Sequence, residues 1–278
     1  MKARRDIKGK RAKKLERYQA KRNGSIEFNS LLSESKFTLT YRQSYIAFHE
    51  QLLSRQVESL PFSKGGGKDP TKRVHEYSLV LTQIYLHRAY NLYIGSFQAL
   101  ASNNVHLMAL SIRGYLETVA AVGYLLKRLK SFQQGSISED SLSDNLFKLL
   151  LGNKDKQLQE EIDDNFSAIN VMSMLDEADK AFNSQIMEGN VPDKKMLRKI
   201  YESLCEFCHP NYDSASLSFQ LDTDKGHLRF NHDFSEVLEH EGKIIEDLLI
   251  ASFAFIKMFD KVVEIASSLK KVASEENA

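Results

Sequence analysis

The chain has no tryptophan, four prolines, thirteen glycines and two cysteines in 278 residues. Two cysteines cannot build the disulfide framework of a small secreted domain, and reduced thiols of a cytoplasmic protein are the expectation. So little Gly and Pro, with no run of short alternating strands, excludes folds assembled from many tight turns and points to a mainly helical chain. Residues Met1 to Ser25 contain no apolar stretch of the signal-peptide kind. The last long apolar stripe is interrupted by Lys257 and Asp260 well short of a membrane span, so no membrane partner is expected. What is present is 42% hydrophobic residues, enough to bury a substantial core.

The formal net charge of +1 conceals an asymmetry. Eleven of the 38 Lys and Arg lie in the first 22 residues, beginning Lys2, Arg4, Arg5, Lys8, Lys10, Arg11, Lys13 and Lys14, against only Asp6 and Glu16. The rest of the chain keeps 27 basic and 35 acidic residues, so a basic arm precedes an acidic body. Such an arm can release counterions from a phosphate backbone and bind nucleic acid with little sequence preference. It can equally be a solvated tail or fold back on an acidic surface, its own or a partner's. Residues 1–34 are read as a disordered arm and 35–278 as one helical-bundle domain.

An amphipathic segment is expected from Ser35 to Leu60, ended by Pro61. The glycine run Gly65-Gly66-Gly67 before Lys68 lacks the Lys-Ser/Thr ending of a phosphate loop and reads as a connector. From Val74 to Ala101, Leu79, Leu86, Tyr90, Tyr93, Phe97 and Leu100 form one helical stripe. Met108, Ile112, Tyr115, Val119, Val122, Leu126 and Leu129 form another, with alternating steps of four and three. A join at Asn103-Asn104 makes these an antiparallel pair. Ser131 to Asp144 reads as a loop, Leu146 to Leu151 and Asp155 to Glu188 as helix, with Gly189-Asn190 as a stop. A helix opening near Pro192 carries Leu197, Tyr201, Leu204 and Cys208 and stops at Pro210. Leu217–Leu221 and His227–Phe230 flank Asp222-Thr223-Asp224-Lys225-Gly226 as a small hairpin. A last helix from Ser235 to Lys270 carries Ile245, Leu248, Phe255, Phe259, Val262, Ala266 and Leu269. The expected fold is all-α: an up-down bundle of long helices with a small β-hairpin before the last.

Both cysteines fall in Cys205-Glu206-Phe207-Cys208-His209, the spacing that attaches c-type haem. Haem attachment needs an oxidising compartment, and the helix stripe accounts for Cys208 as a small core hydrophobe. A structural zinc site needs four ligands, and no second Cys/His pair stands at short spacing. Glu206 and His209 make one Glu-x-x-His pair, where a di-iron bundle needs two. His232, Glu236 and His240 share a helical spacing that could hold a divalent ion. No cofactor is assigned.

Two polar groups border the apolar stripes. Arg113 and Glu117 lie one turn apart and either pair with each other or face an inter-helix crevice. Tyr201, His209, Asn211 and Asp213 gather at a helix end, where a His held by Pro sits near the negative pole of the helix dipole, or simply caps it. Ile112-Arg113-Gly114-Tyr115-Leu116-Glu117-Thr118 together with Tyr201-Glu202-Ser203-Leu204-Cys205-Glu206-Phe207-Cys208-His209-Pro210-Asn211 resembles a group of uncharacterised bacterial helical proteins. Those carry an Arg and Glu on one long helix and a Tyr-Leu-His-Pro string on another, and are distantly similar to HEPN-type domains. The resemblance implies a metal-independent ribonuclease of the defence or toxin type, commonly dimeric, or an RNA-binding relative, with Arg113, Glu117, Tyr201, His209 and Asn211 as site residues. HEPN nucleases place the Arg close before the His on one helix, whereas here the nearest preceding Arg is Arg198, eleven positions earlier. Arg113 would have to act from another helix. The alternative is a non-catalytic helical module that dimerises or binds a partner, in which the same residues fix helix register.

Overall fold

The structure, a computed structural model, describes residues 27–33, 41–61, 70–152, 167–185, 193–230 and 238–275. Among them nine helices and one hairpin form a mainly α-helical bundle. These are α1 (27–33), α2 (Arg42–Arg55), α3 (Pro70–Ala101), α4 (Val105–Gln133), α5 (Glu139–Leu151), α6 (Val171–Gln185), α7 (Met196–Cys208), α8 (Tyr212–Ser216), β1 (Phe219–Asp222), β2 (His227–Phe230) and α9 (Leu238–Glu275). The central element is α4, which packs against α3, α5, α6, α7 and α9. All seven residues of its stripe are fully buried. Tyr93, Phe97, Tyr115 and Phe255 build an aromatic centre of tilted rings at this junction.

The α3–α4 turn forms where two asparagines meet the needs of its backbone. Asn103 takes the left-handed conformation at φ 52°, which Asn tolerates better than other side-chain-bearing residues, and Asn104 caps α4 by accepting from the Leu107 amide at 2.9 Å. Close packing of α4 on α6 depends on Gly123. A Cβ there would lie 2.5 Å from the Ala178 Cβ and 2.6 Å from its Cα.

Several boundaries differ from the sequence expectation. Residues 27–33, placed in the arm, are helical, and Phe28 and Leu32 are buried. Phe28 stacks on His49 at 4.3 Å and meets Phe97 edge-on, so apolar burial outweighs the basic composition just before it. Helix α2 stops at Arg55 instead of Leu60, because the Gln83 side chain binds the Arg55 carbonyl and the Val57 amide and holds the chain extended there. The stretch Ser131 to Asp144 is not one loop. Helix α4 runs on to Gln133, Gly135 turns the chain at φ 68°, and Ser138 caps α5 through the Ser141 amide, so the serines and acidic residues serve as a helix start. Residues 167–170 are not helical, and Asn170 caps α6. The short α8 was not expected. The hairpin is present in the expected place, with Phe219 opposite Phe230 and Leu221 opposite Leu228.

The arm from 1 to 26, the Gly65-Gly66-Gly67 run, Pro192, His232 and Glu236 lie outside the described residues, and so does the His240 side chain. No helix among the described residues is long and apolar enough to cross a membrane.

Candidate functional site

The seam between α4 and α7, bordered by α3, brings together most of the polar residues singled out in the sequence. Arg113 and Glu117 leave α4 on the side that meets α7 because the alternate positions Ile112, Tyr115 and Val119 are taken by the core. Tyr201 comes from the buried stripe of α7, and its ring carries the hydroxyl out to the seam. That oxygen accepts from Arg113 Nε at 3.2 Å and Nη2 at 3.1 Å, and donates to Glu117 Oε1 at 3.2 Å. Arg113 Nε also lies 3.6 Å from Glu117 Oε1, and its guanidinium carbon stands 5.2 Å from the Tyr201 ring centre.

A third helix adds a residue that the sequence did not mark. Arg88 of α3 donates from Nε to the Thr118 hydroxyl at 3.1 Å and places Nη2 3.9 Å from Glu117 Oε2. Gly114 lies beside this contact: a Cβ there would stand 3.3 Å from the Leu92 side chain and 3.8 Å from Arg88 Nη2. Arg88 is the open member of the group: its side chain is 52% exposed, against 34% for Glu117 and 26% for Arg113. Two guanidinium groups share the Glu117 carboxylate, and Glu206 of α7 lies close to Cys205.

The two cysteines complete the seam. Both are half-buried and packed against the hydrophobic core, so Cys208 is less fully enclosed than expected, and both lie on the face of α7 that meets Arg113. The Arg113 guanidinium lies against the Cys208 thiol and close to Cys205, and the Tyr201 hydroxyl adjoins Cys205. Burial raises both thiol pKa values above the ordinary range, and the neighbouring Arg113 charge opposes this. Burial also raises the Tyr201 pKa, so at neutral pH the phenol keeps the proton it donates to Glu117. Burial works against the charge of Arg113. Its hydrogen bond to Tyr201 and the nearby thiols offset that burial, and its pKa lies above the usual guanidinium value.

His209 and Asn211 stand outside this network. His209 is the exposed C-cap of α7, extended at φ −97° and ψ 148°; its amide donates to the Cys205 carbonyl at 3.0 Å. Its imidazole bonds to no side chain among the described residues. Asn211 caps α8 through the Ser214 amide and donates to Glu206 at 2.5 Å, and Asp213 sits in the first turn of that helix. Arg198, the preceding arginine of the sequence, is committed elsewhere, to Asp176 and Glu202. Among the described residues no three His, Cys, Asp or Glu side chains are grouped so as to hold a metal ion.

No family model, no curated protein and no solved structure matches this chain.

Proposed function

We propose that the chain is an HEPN-like helical protein that binds RNA phosphate at the α3–α4–α7 seam and cleaves it without a metal, using His209 with Arg113. The observation that supports this is the seam itself: Arg88 and Arg113 converge on Glu117, with exposed His209 one residue beyond the Cys208 that Arg113 adjoins. An anionic phosphate is a ligand that two converging guanidinium groups favour. His209 would take the proton of a ribose 2′-hydroxyl, the 2′-oxygen would attack phosphorus to form the 2′,3′-cyclic phosphate, and Arg113 would offset charge on the phosphorane as the 5′-oxygen leaves with a proton from water. The basic arm would add sequence-independent affinity that falls with salt.

A second reading is favoured by the hydrogen bonds of Arg113. Two of its N–H groups already point at Tyr201, so the network serves as a clasp that sets the register of α7 on α4 in a non-catalytic module. Leu107 and Leu110, both about half exposed on α4, would then belong to a surface for a second copy.

The deciding experiment measures RNA binding and cleavage at low salt, with melting temperature in parallel, for wild type, Arg88→Gln and His209→Ala. Loss of binding in Arg88→Gln and of cleavage in His209→Ala, with melting temperatures unchanged, supports the nuclease. No binding or cleavage in any of the three, or equal activity in all, removes it in favour of the clasp.

A further inference from the structure

Cys205 and Cys208 are the two cysteines of the chain, and they lie one helical turn apart on one face of α7, both half-buried and both beside Arg113. We propose that they form a redox-active dithiol, closed to an intrahelical disulfide by exchange with a low-molecular-weight disulfide, and that closure rearranges the helix end that carries His209. In the exchange one thiolate attacks a sulfur of the small disulfide and expels a thiol. The second thiolate then attacks the protein sulfur of the mixed disulfide and expels the other thiol. The two cysteines together lose two protons and two electrons, and the small disulfide is reduced to two thiols.

The geometry sets the character of this bond. Side chains three apart on a helix have Cβ atoms about 5–6 Å apart, whereas a disulfide brings them to about 3.5–4.5 Å. The last turn must therefore tighten or open by an ångström or more. It is placed to do so: Cys208 is the last helical residue, His209 is already extended, and Pro210 follows. The backbone bond most exposed to this change is His209 N–H to the Cys205 carbonyl, which closes that turn. A bridge made under such strain is easily reduced, as regulatory disulfides are and structural ones are not. Closing it also converts the Cys208 thiol that Arg113 touches and moves the residue preceding His209. The consequence for RNA rests on the function proposed above; formation of the bond does not.

The test uses the full chain equilibrated in mixtures of reduced and oxidised glutathione, acid-quenched, alkylated with N-ethylmaleimide and weighed intact. The expected product is a monomer that loses both alkylatable thiols together, is lighter by two hydrogens and is restored by dithiothreitol. Cys205→Ser and Cys208→Ser, which retain the size of the side chain, should each stop at a single glutathione adduct. A wild-type chain that instead accumulates glutathione adducts or disulfide-linked dimers overturns the dithiol. The switch is read separately from the NMR signal of the His209 ring, assigned by its loss in His209→Ala. A shift of that signal on oxidation is expected, and an oxidised chain with an unmoved signal overturns the coupling while leaving the RNA reading to its own assay.

Discussion

The Tyr201 hydroxyl accepts two N–H groups of Arg113, at 3.2 and 3.1 Å, although the residues are 88 positions apart on different helices. Its own O–H donates to Glu117, so one phenol links both charges of an α4 ion pair to α7.

Tyr201→Phe keeps the ring in the buried stripe and removes only this link. It is expected to cost about 0.5–1.5 kcal/mol in urea unfolding, since Arg113 and Glu117 can still pair directly. Arg113→Ala should cost more, because it also takes away the stem packed on the Tyr201 ring and leaves Glu117 with the distant Arg88 alone.

Gly123→Ala places a methyl against the backbone of Ala178, which cannot swing aside as a side chain end would. Despite the better helix propensity of Ala, a loss of about 1–3 kcal/mol is expected by thermal or denaturant unfolding. Adding Ala178→Gly should recover part of it, because the shorter of the two clashes is with the Ala178 Cβ.

His49 is 1% exposed, stacked on Phe28, with neither ring nitrogen hydrogen-bonded among the described residues, and burial lowers its pKa from 6.5 to about 4. A depressed folded-state value means that unfolding takes up a proton: the contribution is whole above pH 6.5 and is lost as pH falls toward 4. Wild type should lose up to about 3 kcal/mol relative to His49→Phe between pH 7 and 4, measured as the difference between their unfolding free energies. A constant difference across that range would contradict the assignment.

Asp179 is 2% exposed on α6 and caps α7 from outside, accepting from the Leu197 and Arg198 amides at 2.9 and 3.1 Å. Lys195, at the N-cap position itself, supplies no side-chain bond, so Asp179→Ala should cost about 1–2 kcal/mol. Burial raises its pKa from 3.8 to about 6, outweighing the two amides. With the folded value raised, its contribution is whole below pH 3.8 and is lost as pH rises through 6. The stability gap between wild type and Asp179→Asn should therefore narrow by up to about 3 kcal/mol from pH 4 to 7. This slope is opposite to that of His49, so each is legible only as a difference from its own variant.

The periodic stripes of α4 and α9 were read in the sequence residue by residue, because a helix with one wide apolar face repeats its pattern at every turn. The hairpin was legible from its turn composition and alternation. Less legible were short elements whose residues serve as caps. Ser138 and Asn211 look like loop residues in a string, and only a following helix turns them into caps. Of the candidate site, Arg113 and Glu117 were marked as flanking an apolar stripe and Tyr201 as lying on another, and the three do meet. Arg88 was missed, since nothing local distinguishes it from any other exposed arginine.

Composition and periodicity by themselves determined a mainly helical bundle, the antiparallel α3–α4 pair, the final hairpin and helix, and the faces that α4 and α9 bury, because these follow from side-chain spacing along one element. Which polar edges share a seam depends on how two helices are rotated and set against each other, and that is decided by packing, as at Gly123. Tertiary structure alone joined Arg88 and Arg113 to one carboxylate, brought both cysteines to the same guanidinium, and left His209 free at the helix end.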